Sequence, residues 1–218
     1  MKVVQVRIAT GVVSGVFFFG LYWCFPSLFI CLLASLSCWM VLVEWARVQG
    51  TPLFWYQVPP MATIIYPVLP LALLLLHVIQ WRQAMPFYAL YPFVAAWIVD
   101  VAAYFVGSLC GSHRCFPSIS PAKTWEGVAG GIGGLALMHM LIWAVGATVY
   151  PWWFMLLSSF CVAIAAIMGD LLMSWFKRQQ GLKDTGVLLP GHGGLLDRFD
   201  SVLTVIVVVK LCELVLSL

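Results

Sequence analysis

The chain has 218 residues, of which 63% are hydrophobic, 15% aromatic and only 9% charged, with a mean hydropathy of +1.03. A soluble domain averages about 25% charged residues, so this chain lacks the polar surface to cover a soluble globule. Composition therefore excludes a soluble enzyme, a disordered chain, a coiled coil and a disulfide scaffold. It points to an integral membrane protein and turns attention to where the charges stand.

Uncharged runs cover 8–43, 48–81 and 127–169. A spanning helix needs about 20 apolar residues. The first run holds two helices with a break at Cys24-Phe25-Pro26-Ser27. The second holds one helix near 61–80, after Pro59-Pro60. The stretch 86–108 is a further span, interrupted by Asp100. The third run holds two helices split at Tyr150-Pro151, and 199–218 is a short seventh. The expected fold class is all-α: a polytopic helical bundle of about seven transmembrane helices. The chain reads as a single membrane domain, 1–218. Its N-terminal helices at 8–85 lack a recognised motif, and its catalytic half, 86–218, carries loops 109–127 and 174–198.

Loop charges set the orientation. With seven spans, one side carries Lys2, Arg7, Arg47, Arg114, Lys123, Lys177, Arg178, Lys183 and Arg198. The other keeps Arg82 and, within the last helix, Lys210. The basic side is expected to face the cytoplasm. Lys2 and Arg7 before an apolar run imitate a signal peptide, but no small-x-small cleavage site follows; 8–24 is read as a retained helix.

The cysteines read as soft packing groups. Cys24, Cys31 and Cys38 recur every seven residues, roughly on one helical face. Cys110, His113 and Cys115 do not match a standard zinc spacing. Gly11 and Gly15, and the run Gly127, Gly130, Gly131, Gly133 and Gly134, read as close helix contacts.

An ionisable residue inside a span costs about 2.5–3.5 kcal/mol on insertion scales and is a functional candidate by default. Asp100 and Asp170 are such residues, each read as lying near the cytoplasmic end of its span. Asp170, Ser174, Lys177 and Arg178 share one face of a helix continuing out of the sixth span. Asp197 and Asp200 stand at i and i+3 at the start of the last. Carboxylates at 170, 197 and 200 can thus converge at the membrane surface, among Lys177, Arg178, Lys183 and Arg198. Clustered carboxylates call for a hard cation such as Mg²⁺, and the surrounding cations suit polyphosphate. A His192-Gly193-Gly194 turn offers backbone N–H groups to an anion. The bland alternative is capping of the last helix by Asp197 or Asp200. A second loop, Ser120-Pro-Ala-Lys123-Thr124-Trp-Glu126-Gly127, resembles a phosphate-binding element or, more simply, a helix capped by Thr124 or Ser120.

These residues also resemble a known family. The run Ser174-x-Phe176-Lys177-Arg178, Lys183-Asp184-x-Gly186, Leu189-Pro190-x-His192-Gly193-Gly194-Leu195-x-Asp197-Arg198-Phe199-Asp200 is similar to the signature of phosphatidate cytidylyltransferases, also called CDP-diacylglycerol synthases. Asp100-x-x-Ala103-Tyr104-x-x-Gly107 and Ser120-Pro-x-Lys123-Thr124-x-Glu126-Gly127 resemble it too. The match covers roughly 90–200, and many relatives are longer at the N-terminal end. The resemblance implies transfer of a cytidylyl group from CTP to phosphatidate, giving CDP-diacylglycerol and pyrophosphate. It implies Mg²⁺, with room for a second monovalent or divalent cation, and a homodimer with no nucleic-acid partner. It further implies a site open to the cytoplasm and the bilayer, in a bacterial inner membrane. By motif position the metal carboxylates are Asp170, Asp197 and Asp200, which with Lys177 form the catalytic set. The expected substrate-binding set is Asp100, Ser120, Lys123, Thr124, Ser174, Arg178, Lys183, His192, Gly193 and Arg198.

Related CTP-dependent lipid enzymes with other acceptors, a CDP-archaeol synthase or a polyprenol kinase, would share such a site. An ion transporter predicts carboxylates near the bilayer midplane. A CDP-alcohol phosphotransferase needs an Asp-Gly-x-x-Ala-Arg motif, which the chain lacks. Lys210 and Glu213, at i and i+3, read as a mutual pair or an interface contact.

Overall fold

The computed structural model describes residues 13, 15–49, 60–186, 188 and 193–216, with 60–64 as backbone alone. Gly11, His192 and residues 8–12 of the first expected helix lie outside the described residues. In chain order the elements are α1 (Gly15–Cys24), α2 (Pro26–Val48), α3 (Pro60–Trp81), the short α4 (Pro86–Ala89) and α5 (Tyr91–Cys110). A hairpin follows, β1 (Arg114–Phe116) with β2 (Ser120–Thr124), then α6 (Trp125–Ala144), α7 (Trp152–Gln179) and α8 (Leu196–Leu216).

Among the described residues, seven helices of ten residues or more stand where seven spans were expected. Four of them, α2, α5, α6 and α7, are long and apolar enough to cross a membrane. Gly15–Cys24 and the Ile65–Trp81 part of α3 are shorter apolar helices. The chain is a helical membrane protein. The breaks have local causes. Phe25 leaves helical geometry (φ −136°, ψ 68°) and Pro26 starts α2, where its missing N–H costs nothing. Pro60 starts α3, and Pro151 stands just ahead of α7. Pro67 and Pro70 lie inside α3, as membrane helices tolerate. At 28 residues α7 is about 42 Å long, at 1.5 Å per residue. That exceeds a hydrocarbon core of about 30 Å. The last helix begins at Leu196, three residues before the expected 199, because its first N–H groups have a partner described below.

The described chain forms two compact units. The first comprises Met1–Ala84 with Phe176–Phe199, the second Met85–Trp175 with Asp200–Leu218. In the first unit Tyr22, Phe29, Leu33, Met40 and Leu74 are buried. Phe29 meets the Tyr22 ring edge-on at 5.1 Å, and Phe176 meets Trp45 likewise. Arg82 donates to the Tyr22 carbonyl at 3.0 Å, close to the α1–α2 break. In the second unit the core holds Ala95, Val99, Leu135, Ala166, Met173, Leu203 and Ile206. Large apolar side chains such as Leu42, Trp97, Phe105, Leu137 and Phe160 point outward, as lipid contact allows and water would penalise.

The glycine run brings α5 and α6 together. A methyl on Gly130 would meet Val106 Cβ at 2.5 Å, one on Gly134 would meet Ala102 Cβ at 2.5 Å, and one on Gly127 the Ala103 carbonyl at 2.9 Å. The packing reading therefore holds for these three. It fails at Gly133 and Gly15, where a methyl would have nothing within 4 Å among the described residues. The cysteine stripe is also corrected. Cys24, Cys31 and Cys38 are all exposed, and the Phe25 break separates Cys24 from the other two, so they do not pack as one face. Lys210 and Glu213 form a mutual pair at 2.7 Å, and Tyr88 Oη donates to Glu213 at 3.0 Å.

Candidate active site

The charged residues gather in two clusters, one in each unit. In the second unit the expected loop at 109–127 is largely a hairpin, with Arg114 opposite Thr124 and Phe116 opposite Ser120. The Trp125 N–H donates to the His113 carbonyl at 2.9 Å, and Arg114 donates to the Pro121 carbonyl at 2.6 Å. The hairpin delivers the chain to the start of α6, where Thr124 Oγ1 accepts from the Gly127 N–H at 3.1 Å. Thr124 is thus the cap of that helix. Gly107 packs against it from α5: a Cβ there would lie 3.1 Å from Thr124 Oγ1.

Lys123, one residue before the cap, reaches Asp170 on α7. Its Nζ lies 2.7 Å from Asp170 Oδ2, with the side chains 23% and 34% exposed. The ammonium also lies 3.4 Å from the Ile167 carbonyl. Ser174 Oγ is 3.4 Å from Asp170 Oδ1, a long contact. Gly169, next to Asp170, lets α8 pack closely on α7, since a Cβ there would strike Thr204 Oγ1 and the Asp200 carbonyl. Thr204 Oγ1 donates to the Ala165 carbonyl at 2.7 Å, locking the same helices together. Asp200 is buried, and its Oδ1 accepts from the Ser201 N–H at 2.8 Å.

Asp100 stands at the midpoint of the twenty-residue α5, exposed, not at the end of a span as expected. The helix runs on to Cys110 and leaves Asp100 about 15 Å short of its end. Cys110, His113 and Cys115 do not gather as ligands. His113 Nδ1 pairs with Glu126 at 2.7 Å, and both cysteines are free. Burial and the Glu126 charge push the Cys115 thiol upward, away from the thiolate that a metal needs.

In the first unit the centre is Asp197, in the first turn of α8. Its Oδ1 accepts from Lys177 Nζ at 2.7 Å, with side chains 6% and 10% exposed. Its Oδ2 accepts from the Thr185 N–H at 2.9 Å and the Gly194 N–H at 3.0 Å, and lies 3.1 Å from Thr185 Oγ1. Asp197 therefore gathers the residues on either side of the turn. It does not merely cap its own helix. Gly193 adopts φ +86°, a conformation that favours glycine. A Cβ there would lie 3.2 Å from carboxylate oxygens of both Asp184 and Asp197. Arg178 departs from the shared face expected of it: it is exposed and donates to the Leu182 carbonyl at 3.2 Å. Lys183 and Arg198 are exposed.

Glu44 was missed by the sequence reading. It lies on α2, is only 2% exposed, and turns its carboxylate onto the same segment. Oε1 accepts from the Leu195 N–H at 2.9 Å; Oε2 accepts from the Leu196 N–H at 2.7 Å and from Thr185 Oγ1 at 3.0 Å. These are the leading N–H groups of α8, so its cap comes from another helix. One signal was available: Glu44 is the sole acidic residue before Asp100.

Asp170 and Asp197 each hold a lysine ammonium at 2.7 Å, the place a bound cation would take. Oxygen donors of this kind suit a hard cation. Among the described residues no three His, Cys, Asp or Glu side chains gather as a cage for a metal ion.

Residues 54–215 match the family model for the cytidylyltransferase family. The chain is 44% identical over 120 residues to a phosphatidate cytidylyltransferase of Staphylococcus haemolyticus, covering 55% of this chain and 46% of that one. With the Staphylococcus saprophyticus protein of the same name the identity is 37% over 131 residues, 60% of this chain and 50% of the relative. With that of Staphylococcus aureus strain COL it is 40% over 124 residues, 55% and 46%. The chain spans about half the length of the curated relatives it matches.

Proposed function

Since the chain belongs to the cytidylyltransferase family, we propose that it transfers a cytidylyl group from CTP to phosphatidate, giving CDP-diacylglycerol and pyrophosphate. The observation that carries this reading is the Lys123–Asp170 pair. It joins the Ser120–Gly127 element to the carboxylate of α7, and so joins a phosphate-binding motif to a cation ligand.

The attacking group is the phosphate monoester of the lipid. Its second pKa is about 6, so it is already dianionic at neutral pH and needs no general base. Its oxygen attacks the α-phosphorus of CTP; the α–β bridging bond breaks, and pyrophosphate leaves with the electron pair. The protein's task is to bring two polyanions together in line. Lys123, Lys177, Arg178, Lys183 and Arg198 neutralise phosphate oxygens. Ser120, Thr124, Ser174 and the Gly193 backbone add hydrogen bonds, and His192 positions phosphate without taking a proton. Asp170, Asp197 and Asp200 are the carboxylates assigned to Mg²⁺, and Asp100 is assigned to the substrate side. When bound, the cation supplies charge neutralisation for the triphosphate and for the leaving pyrophosphate.

The excess of basic residues on one side supports a cytoplasm-facing site in a bacterial inner membrane. A homodimer belongs to the same proposal and is read by cross-linking in intact membranes. The deciding assay supplies membranes with CTP, Mg²⁺ and phosphatidate and measures CDP-lipid and pyrophosphate. Product should form only with the wild-type chain. No product above an Asp197→Asn control would sink the reading. Archaetidate-type and polyprenol acceptors run beside phosphatidate identify the lipid.

A further inference from the structure

The described turn residues have few apolar anchors of their own, yet they carry much of the assigned chemistry. Lys183 and Asp184 are exposed, and Gly186, Gly193 and Gly194 lack side chains. Such a segment is costly to order. Its order comes from two carboxylates. Asp197 is local to it. Glu44 is 141 residues from Thr185 in sequence and reaches it from α2.

Several features of the first unit serve this contact. Between Met40 and Trp45, α2 widens into a π-helical turn, a feature frequent at functional sites. Met40, Glu44, Trp45 and Val48 are buried there, while Arg47 is exposed. The receiving segment is glycine where it meets the carboxylate. A Cβ on Gly186 would lie 2.9 Å from Glu44 Oε1, and one on Gly194 would lie 2.7 Å from Glu44 Oε2. Thr185 Oγ1 lies within hydrogen-bond distance of both Glu44 Oε2 and Asp197 Oδ2, so the two carboxylates are coupled through one hydroxyl.

We propose that Glu44 is a positioning residue of the catalytic machinery: its carboxylate, aimed by the π-helical turn of α2, holds Thr185 and the first N–H groups of α8, and so sets Asp197 and Lys177 for the CTP phosphates. This rests on the cytidylyltransferase reading above for its consequence, not for its geometry. The carboxylate is required as such. Three donors converge on its two oxygens, and an amide would turn an NH₂ group toward N–H groups.

The test uses the full chain in detergent, with Glu44→Gln, Glu44→Asp, Thr185→Val and Thr185→Ser. Peptide-level hydrogen exchange across 193–199 reads the clamp without reference to activity. Glu44→Gln should deprotect that peptide while those of α5 and α6 stay as in wild type. In kinetics, normalised to folded protein, Glu44→Gln should lower kcat/KM for CTP by about 10–100-fold, the range typical when an outer-shell partner is lost. Glu44→Asp should recover part of this, and Thr185→Ser most of what Thr185→Val loses. Losses in Glu44→Gln/Thr185→Val should fall short of the product of the singles, since both remove one coupled unit. Wild-type exchange and wild-type kcat/KM in Glu44→Gln would overturn the proposal, as would a loss explained entirely by less folded protein. If wild type makes no CDP-lipid, the functional reading fails and the exchange result alone decides the clamp.

Discussion

Lys177 Nζ lies 2.7 Å from Asp197 Oδ1, and the two side chains are among the most enclosed charges of the described chain. One comes from the C-terminal end of α7 and the other from the first turn of α8. Among the described residues each faces the other as its ion-pair partner, so removing one leaves a buried charge.

Lys177→Met should therefore destabilise the protein by about 3–5 kcal/mol, the usual cost of breaking a buried pair from one side. Removing both charges, as Lys177→Met with Asp197→Asn, which keeps an acceptor oxygen for the Thr185 and Gly194 N–H groups, should be less damaging to stability than the single change, while abolishing activity. Thermal unfolding in detergent checks the first effect and the CTP assay the second. A single variant with wild-type stability would show that the pair is solvated in the bilayer-bound protein.

The α5–α6 contact predicts opposite outcomes for two neighbouring glycines. Gly130→Ala places a methyl against Val106 and should cost about 1–3 kcal/mol through overpacking. Gly133→Ala meets open space and should be neutral or stabilising by about 0.5–1 kcal/mol, because alanine loses less backbone entropy. Parallel melting curves of the two variants make the comparison.

Thr124 caps α6 through the Gly127 N–H. Thr124→Ala should cost about 1 kcal/mol and Thr124→Ser much less, since the hydroxyl oxygen is kept. If Thr124 also donates to phosphate, as assigned above, Thr124→Ala should raise KM for CTP at temperatures where the variant is fully folded. A cap alone would leave KM unchanged there.

Asp170 should govern the response to the cation. Chelation should abolish cytidylyl transfer, and added Mg²⁺ should restore it. Asp170→Asn should shift the Mg²⁺ concentration for half-maximal rate upward by about tenfold or more, the scale expected when a carboxylate ligand is neutralised. Lys123→Gln, which removes the competing ammonium at 2.7 Å, should weaken CTP binding without that shift.

His192→Gln should raise KM and leave the pH profile of kcat without a lost limb, because the lipid phosphate is already dianionic near neutral pH. Loss of a titrating limb in the pH profile would assign His192 to proton transfer.

The amino-acid sequence alone determined the helical membrane class, the main helix breaks among the described residues, and the residue types of the candidate site. These follow from local chemistry: apolar run length, proline's missing N–H, and the energetic cost of charge in a span. It also held the candidate carboxylates and lysines in its spacing, since residues on one helix or in one turn are neighbours by geometry. Which lysine meets which carboxylate was a different matter. Lys123 with Asp170 and Lys177 with Asp197 are long-range pairs that only helix packing decides. The same holds for the glycines: Gly130 and Gly133 belong to one motif, yet only the position of Val106 tells a contact from open space. Glu44 is the plainest case. Its three donors stand 141, 151 and 152 residues away. No local pattern encodes that meeting; tertiary structure alone made a lone acidic residue in an apolar helix the cap of α8.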